Sequence, residues 1–391
     1  GMVERIKANI DDVAAAEVYV GNVHRFCSRF LYDNGLIAAE TSVIDDDDAL
    51  SILARYTEED EMKVAESFKR RRDYFEIIFL SHLMHQIAQA HPKNLRLHAD
   101  CLSAEDVHAM RKLCELNRID FTPQAMTDIY LHASTYETML QGAQIDYAAL
   151  CLVVALLRKM KFAKQYEDYK RENKLVDFED LLLLTYDALV ADVAGVYRRY
   201  AWLQVDEVQD LNPLQLAIVD ALTAKENPTV MFLGDEQQAI FSFMGAKLDT
   251  LNQLRQRCGT NVHHLSVNHR SPKYLLNVFN TYAKAMLNID ERLLPEADNS
   301  DMGTGNELQV VSSNVLDTEY KDVARLAGNL QTQSPNETTA IIVNANRDAD
   351  DLSRALHAQG LSHFKVSGQD LFASPEVKLL FAHLNILANA H

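Results

Sequence analysis

The feature that most constrains the fold is a pair of short, mainly apolar runs that each end abruptly in acidic residues. Residues 202–205 precede Asp206 and Glu207, and residues 229–233 precede a glycine and Asp235. Runs of this length between polar residues are typical of strands that are buried on both faces of a parallel sheet. Because ligands bind at the carboxyl ends of such strands, we expect the three acids to lie at a binding edge.

Asp206 and Glu207 have the chemistry of a site for a cation that carries phosphates. Mg²⁺ prefers oxygen ligands and keeps several of its waters. In nucleotide hydrolysis one carboxylate holds the metal, often through water, and a neighbour orients or deprotonates the attacking water. Asp206 fits the first role and Glu207 fits the second. An isolated Asp-Glu pair after a strand is more often the acidic start of a helix, so these two residues alone leave both interpretations open.

The residues around both acidic ends extend the pattern. A Gln-Asp pair and residues 212–215, NPLQ, follow the first strand, and residues 234–246, GDEQQAIFSFMGA, follow the second. This combination resembles motifs II and III of the superfamily-one DNA helicases of the UvrD, PcrA and Rep type. Residues 268–272, NHRSP, are similar to motif IV of these helicases, and residues 21–27, GNVHRFC, are similar to their histidine motif.

The resemblance assigns four residues to catalysis. It implies that Asp206 binds Mg²⁺ and that Glu207 activates water. It also implies that Gln238 senses the γ-phosphate of ATP and that Arg270 supplies an arginine finger. The nucleotide would be bound by Gln238, Arg270 and His269, the last of which stands where the family usually has a tyrosine that stacks on adenine. On its own, Arg270 could equally pair with a surface carboxylate. ATP and Mg²⁺ are the cofactors expected of the parent protein.

The same resemblance implies a site for single-stranded DNA or for single/double-strand junctions. His24 and Arg25 lie in the histidine motif, and Phe241 and Phe243 stand where the family stacks aromatic rings on bases. Stacking contributes about 1–3 kcal/mol per base and tolerates any sequence. Without the neighbouring motifs, the two phenylalanines would indicate a half-buried strand, and His24 would indicate a helix start. Met244 replaces the usual arginine, which predicts altered coupling between the nucleotide and DNA sites.

The predicted fold class is α/β. The pattern is almost entirely helical over residues 44–174, whereas strands and helices alternate after residue 262. The resemblance implies a RecA-like parallel-sheet motor lobe, residues 1–43 and 175–262, that is truncated at its N-terminus and interrupted by an all-helical insertion, residues 44–174. A partial second RecA-like lobe is expected over residues 263–391.

Local patterns predict further elements. Asp177 is expected to cap a helix whose core stripe includes Phe178, Leu181 and Leu182, and Gly360 is expected to end the last clear helix. Helices are predicted over residues 61–90, 146–173, 318–330 and 348–359. Short strands are predicted at residues 18–20, 262–267, 308–312, 340–343 and 364–367.

No Walker A sequence, G-x-x-x-x-G-K-[ST], occurs in these 391 residues. Without its lysine and its ring of backbone N–H groups, nothing in the sequence is predicted to cradle the β- and γ-phosphates. Motifs V and VI of the family are not found either. We therefore expect an internal fragment of an ATP-dependent 3′-to-5′ helicase or translocase that is inactive by itself. Two alternatives stay open: a non-catalytic module that binds DNA or protein, and an unrelated two-carboxylate metal hydrolase.

The overall charge limits the way in which this chain can bind DNA. The formal net charge is −18, which argues against non-specific binding over the whole surface. A local groove is compatible with this charge because binding depends on where cations cluster. The densest cluster, residues 69–72, reads KRRR. A solvated helix face is the main interpretation of that run, and a phosphate contact is its rival.

The sequence also indicates a compartment. The longest apolar run, residues 148–157, is too short to span a bilayer, and residues 2–10 are charged, unlike a signal peptide. The five cysteines are scattered without a C-x-x-C pair. The histidines at positions 82, 85, 91 and 98 fit no usual zinc spacing and show no carboxylate partner in sequence, so surface and core positions are expected for them. These features predict a cytoplasmic protein with reduced thiols and no membrane segment.

Overall fold

The computed structural model describes residues 18–96, 101–140, 145–197, 199–223, 228–235, 238, 248–305, 307–310, 312, 314–365, 377, 380 and 383. The chain divides into two compact units, Gly1–Val262 and His263–His391. Both units combine helices with short parallel strands, so the predicted α/β class is confirmed, although helices predominate. No helix within the described ranges is long and apolar enough to cross a membrane.

Helices form most of the described part of the first unit. They are α1 (Val23–Asp33), α2 (Asp46–Thr57), α3 (Glu61–Glu66), α4 (Phe68–Ala88), α5 (Ala104–Asn117), α6 (Pro123–Leu131), α7 (Ala133–Met139), α8 (Tyr147–Glu172), α9 (Phe178–Ala191), α10 (Pro213–Leu222) and α11 (Leu248–Cys258). Four of them begin with a capping box, in which the cap residue and the third helical residue bond each other's backbone N–H. The four cap residues are Asp45, Ser103, Asp177 and Asn212, so the predicted cap at Asp177 is confirmed.

The core of the helical region is built around α8, which packs against α4, α5 and α7. Residues at intervals of three or four lie on one face of this helix. The members of the stripe with no exposed surface are Val153, Leu156, Leu157, Met160, Ala163 and Tyr166. The helix predicted over residues 146–173 is thus confirmed, with Asp146 as its cap. The helix predicted over residues 61–90 is instead two helices, because Ser67 caps α4 by accepting a hydrogen bond from Arg70 N.

The helical region begins and ends at a pair of parallel strands. β1 (Ser42–Val43) pairs with β2 (Leu175–Val176), with Ser42 opposite Leu175. Backbone N–H groups on β1 and just after it donate to carbonyls on β2 and just before it at 2.9 Å. The chain therefore departs into the helices and returns from them at neighbouring positions.

The strands that carry the acidic ends are also parallel neighbours. β3 (Trp202–Val205) pairs with β4 (Thr229–Phe232) over their full length. Leu203 and Val205 face the core, whereas Trp202 is 62% exposed and Met231 is 43% exposed. Burial on both faces was predicted and is not observed, because the described helices cover only one face of this pair. The strand predicted at residues 18–20 is wrong as well: those residues have no ladder partner within the described ranges.

In the second unit, helices again outnumber strands in the part that is described. β5 (Val267–Asn268) pairs in parallel with β6 (Glu296–Ala297). The helices are α12 (Lys273–Met286), α13 (Leu316–Gln333) and α14 (Asn346–Ala358). The predictions of helices near residues 318–330 and 348–359 are confirmed. Gly360, at a φ of +71°, follows the end of α14 as expected.

Most strands predicted for the second unit are not observed. Only the last residue of 262–267 is in a strand, and no ladder forms at residues 308–310, 312, 340–343 or 364–365; residues 311 and 366–367 lie outside the described ranges. Ile341 and Val343 pack against the hydrophobic cluster formed by α13 and α14, so these apolar side chains contribute to the core without forming a strand. A strand also needs backbone partners on a neighbouring chain segment, and the described residues supply none there.

The basic run at residues 69–72 belongs to a solvated helix face. Three of its members form ion pairs with nearby acids: Arg70 with Glu59, Arg71 with Asp47 and Arg72 with Glu76. The Arg71 guanidinium also lies over the ring of Phe75. These surface pairs fit the solvated helix face that was the main interpretation of the run.

Candidate functional site

Asp206 and Glu207 lie at the carboxyl end of β3, and both side chains are exposed. The backbone of Glu207 is left-handed, with φ +52° and ψ +44°, and it leads into a single 3₁₀ turn, Val208–Asp210. Asp206 Oδ1 accepts a hydrogen bond from Glu207 N at 3.0 Å. The other oxygen, Oδ2, makes no hydrogen bond with the described residues. The turn thus directs two carboxylates outward from the end of a strand.

The left-handed backbone predicts an unusual order of stability for two variants. Glu207→Gly is expected to be more stable than Glu207→Ala by about 1 kcal/mol, because this conformation costs about that much in any residue with a Cβ. Both variants lose the carboxylate, so its contribution cancels in the comparison of their free energies of unfolding, measured in urea.

The matched control is the same pair of substitutions at Lys112, within α5. There glycine is expected to be less stable than alanine by about 1 kcal/mol. If Glu207→Gly is no more stable than Glu207→Ala, the left-handed assignment is wrong.

Gln209 joins the ends of β3 and β4. Its side chain is buried. Its Nε2 donates to Glu207 Oε2 at 2.6 Å, and its Oε1 accepts from Asp235 N at 3.1 Å. The backbone N–H of Val208 also donates to the carbonyl of Leu233 at 2.9 Å. The two strand ends therefore form one hydrogen-bonded unit.

Gly234 and Gln238 complete this unit. A Cβ on Gly234 would lie 2.7 Å from Gln209 Oε1 and 2.7 Å from a methyl carbon of Val208, so only glycine lets the second turn approach the first. Gln238 is exposed, and its Nε2 donates to Asp235 Oδ2 at 2.8 Å. Through Asp235 and Gln209, Gln238 is thus linked to the same edge as Glu207.

The side chains at this edge fit Mg²⁺. The ion takes hard oxygen ligands and keeps several waters, so an exposed carboxylate with one oxygen outside the hydrogen-bonded network suits it. Asp206 has that arrangement, whereas one oxygen of Glu207 is engaged by Gln209 and one oxygen of Asp235 by Gln238.

His269 and Arg270 follow β5 in the second unit. Asn268 Oδ1 accepts hydrogen bonds from the backbone N–H groups of Arg270 at 3.0 Å and of Ser271 at 2.7 Å, which fixes the turn. The exposed Arg270 side chain makes no ion pair or hydrogen bond with the described residues, so the surface ion pair considered above is not observed there. His269 Nδ1 donates to Asp298 Oδ2 at 2.9 Å.

The histidine motif forms the first turn of α1. Arg25 is exposed, and the ring of His24 lies edge-on to that of Phe178, with centroids 5.6 Å apart. Phe178 is 43% exposed, so its prediction as a core residue is wrong, whereas Leu181 and Leu182 are buried as predicted. The reason is position: Phe178 is the first residue of α9, one turn before the buried stripe begins.

The environment of His24 sets its charge. Burial lowers the pKa of His24, and the Glu179 carboxylate only partly opposes this effect. His24 is therefore neutral at pH 7 and can stack or share a hydrogen bond, while Arg25 carries the positive charge. Phe241 and Phe243 lie outside the described residues, as does Met244, so their role in stacking stays a prediction.

Two residues at these sites, Gln209 and Phe178, were not assigned a functional role from the sequence. Gln209 was noticed only as a letter of motif II, since neither its burial nor its contact with Asp235 can be read from the sequence. Phe178 carried a usable signal: an aromatic residue directly after a helix cap precedes the buried face. In addition, histidine–carboxylate groups form in space that the sequence did not indicate, at Asp177 with His82 and at Asp187 with His85 and His91.

The parallel strands make this an α/β protein, and the acidic pair and the Gly-Asp turn at their carboxyl ends form a candidate ligand site. Comparison with family models gives the family. The model of the UvrD/REP helicase N-terminal domain matches residues 1–259, and that of the UvrD-like helicase C-terminal domain matches residues 263–391. The chain therefore belongs to the UvrD/Rep helicase family.

Individual relatives agree with this assignment. The chain is 26% identical over 233 residues to the ATP-dependent DNA helicase srs2 of Schizosaccharomyces pombe, a match covering 59% of this chain and 26% of the relative. It is 25% identical over 239 residues to the ATP-dependent DNA helicase PcrA of Leuconostoc citreum, covering 58% and 31%. For PcrA of Staphylococcus aureus the values are 26% over 237 residues, 59% and 32%. The matched region spans about a third or less of these relatives.

Proposed function

We propose that this chain is part of an ATP-dependent DNA helicase or translocase that moves 3′ to 5′ along single-stranded DNA. The observation that carries the proposal is the hydrogen-bonded unit in which Gln209 links Glu207 to Asp235. It lies in a chain of a helicase family whose named relatives are ATP-dependent DNA helicases. Because the match spans only part of each relative, the helicase activity of the whole relatives is proposed for this chain.

The division into lobes is part of the same proposal. We assign residues 1–43 and 175–262 to a first RecA-like motor lobe, residues 44–174 to its helical insertion, and residues 263–391 to part of a second lobe. The pairing of β1 with β2 supports an insertion between them. The change of family model between residues 259 and 263 supports the start of the second lobe.

The roles in nucleotide chemistry follow the strand ends. Asp206 holds Mg²⁺, which when bound neutralises phosphate charge, and Glu207 orients and deprotonates water. Gln238 senses the γ-phosphate, and its position beside Asp235 supports this role. Arg270 serves as the arginine finger, and His269 stacks on adenine. The turn held by Asn268 supports these roles because it leaves both the Arg270 and the His269 side chains exposed.

The surface proposed for single-stranded DNA, or for a single/double-strand junction, is formed by His24, Arg25 and Phe178. We assign phosphate contact to Arg25 and base stacking to Phe178 and the neutral ring of His24. Phe241 and Phe243 extend this surface in the proposal. With a net charge of −18, binding is expected to be local and to weaken with added salt.

Replacing Phe178 with alanine is expected to weaken the binding of single-stranded DNA about 5- to 150-fold, the equivalent of one stacked base at about 1–3 kcal/mol. Binding is measured by fluorescence anisotropy of a labelled oligothymidylate at low salt. The control is Tyr147→Ala, which removes another exposed aromatic ring, 81% exposed, from the start of α8. If both variants bind as the unchanged chain does, Phe178 is not part of the DNA surface.

A second candidate function is a non-catalytic module that binds single-stranded DNA. It is supported by the contact between His24 and the exposed ring of Phe178, a surface that needs no phosphate cradle. This 391-residue chain is therefore expected to bind oligothymidylate but to release no phosphate from ATP above background, with or without DNA.

The expected inactivity of this chain is tested by release of inorganic phosphate, followed with a coupled assay. Glu207→Gln serves as the background, because it lacks the carboxylate that activates water. Turnover that DNA stimulates and that Glu207→Gln abolishes would contradict the prediction of inactivity and establish the motor. A chain that binds neither DNA nor nucleotide would contradict both candidates.

A further inference from the structure

A buried polar cluster adjoins the proposed DNA surface. We name it the α9 joint and define it by His82 from α4, Tyr166 and Lys170 from α8, and Asp177 and Asp180 at the start of α9. Asp177 Oδ2 accepts hydrogen bonds from His82 Nε2 at 2.9 Å, Tyr166 OH at 2.8 Å and Lys170 Nζ at 2.6 Å. His82 is 3% exposed, Lys170 4% and Asp177 7%. Three helices therefore converge on one carboxylate.

The two carboxylates of the α9 joint also start the helix. Asp177 Oδ1 accepts from Asp180 N at 2.9 Å, and Asp180 Oδ2 accepts from Asp177 N at 3.0 Å. Phe178 is the residue directly after the cap, so its backbone is held inside this box. Its ring then lies 5.6 Å from that of His24, between centroids. The joint thus fixes the part of the backbone that carries the exposed ring.

The α9 joint is not a metal site, although His82, Asp177 and Asp180 offer ligand atoms within 4.8 Å of one another. The Lys170 ammonium already bonds both carboxylates and fills the cation position. Burial opposes charge here, yet Asp180 and Asp177 outweigh it and raise the pKa of Lys170. Burial would raise the pKa of Asp177, but His82 and Lys170 outweigh it and hold that pKa well below its usual range. The Lys170–Asp177 pair is therefore ionised at neutral pH.

An ionic cluster at this depth is better suited to fixing a geometry than to adding net stability. Well-packed apolar side chains of similar volume would be as stable or more stable, because they pay no desolvation penalty. Every polar group in a buried network needs a hydrogen-bond or ionic partner, however. The network therefore admits few alternative arrangements of α4, α8 and α9. The position of Phe178 depends on that arrangement.

We propose that the α9 joint positions Phe178 against His24 for single-stranded DNA, with Lys170 and His82 as positioning residues of the DNA site. This inference rests on the proposed DNA surface and extends it to side chains that do not touch DNA. His82 and Asp177 are 95 positions apart in sequence, so residues of the helical region set the geometry of a surface that begins outside it.

The test measures oligothymidylate affinity for the full 391-residue chain under conditions where each variant is folded. Lys170→Met is expected to lower the affinity about fivefold or more, the low end of one stacking contact. Combined with Phe178→Ala it is expected to add no further loss, because both changes remove the same contact. The matched control is Lys159→Met, whose ionic partners Asp106 and Glu76 lie outside α9 and whose affinity is expected to be unchanged.

Two outcomes separate this inference from the proposed function. If Lys170→Met binds as the unchanged chain does while Phe178→Ala binds weakly, the α9 joint has no positioning role and the DNA surface stands. If Phe178→Ala also binds normally, both proposals are overturned, because the joint then has no ring to position.

His82→Gln decides the matter if Lys170→Met does not fold. Glutamine keeps an N–H donor for Asp177 but cannot be protonated. Burial lowers the pKa of His82, and the charge of Lys170 lowers it further. Asp177 and Asp180 at the start of α9 outweigh both effects and raise this pKa. The remaining titratable neighbours are Tyr166 of α8 and the nearby Asp46. The unchanged chain is expected to lose DNA affinity as the pH rises through this raised pKa, and His82→Gln is expected to show no such loss. Equal pH profiles overturn the proposal. His24 titrates below its ordinary pKa and does not contribute to this change.

Discussion

Replacing Asp177 with alanine is expected to lower the free energy of unfolding by about 3–5 kcal/mol, the usual cost of breaking a buried ion pair from one side. Lys170 and His82 would stay buried with their main acceptor gone, and α9 would lose its cap. The measurement is urea unfolding followed by far-ultraviolet circular dichroism, which reports the helices directly.

The control for this prediction is Asp146→Ala. Asp146 caps α8 by accepting from Ala149 N at 3.0 Å but holds no buried cation, so its removal is expected to cost only about 1 kcal/mol. Equal losses at the two positions would mean that the buried partners of Asp177 contribute nothing beyond an ordinary helix cap.

Replacing Asp187 with asparagine is expected to lower the free energy of unfolding by about 2 kcal/mol at pH 7, with a loss that disappears in acid. Burial alone would raise the pKa of Asp187, but hydrogen bonds from His85 at 2.7 Å and His91 at 2.5 Å lower it to about 2. One pKa unit corresponds to about 1.4 kcal/mol.

The direction of this pH dependence follows from the lowered pKa. A carboxylate whose pKa is lower in the folded state stabilises the fold above its unfolded pKa, and that stability is lost as the pH falls through the folded value. The unchanged chain and Asp187→Asn should therefore differ at pH 7 and converge between about pH 4 and pH 2. Asp33→Asn, which removes an exposed ion pair with Arg29, is the control and is expected to change stability by less than about 0.5 kcal/mol. A constant difference at every pH would contradict the prediction.

Local signals in the sequence were reliable wherever the cause is local. The cap at Asp177, the end of α14 before Gly360 and the helix over residues 146–173 depend on residues within a few positions of one another, and all were predicted correctly. Each apolar run and its acidic end are also contiguous in the chain, and the rule for parallel strands then predicted that the acids after β3 and β4 share an edge.

The other features of the fold and of the site depend on contacts between distant segments, and these contacts could not be predicted from the sequence. His85 bonds an acid 102 positions away, and no spacing rule connects the two. Gln209 bridges two turns that meet only after β3 and β4 pair. The strands expected at residues 308–312 and 340–343 failed for the converse reason: apolar residues were recognised, but a ladder depends on a partner elsewhere in the chain.

The two ends of the helical region, residues 44–174, lie side by side on β1 and β2, so this region can be exchanged for another segment. Because Ser42 is opposite Leu175, a tight loop is expected to bridge the gap, and a block of different size can be grafted there without reordering the remaining strands. Such a graft would remove the side chains of His82, His85 and Lys170 that now contact the acids of α9 and its cap. Any engineered exchange should therefore carry matching cations or convert those acids to neutral residues.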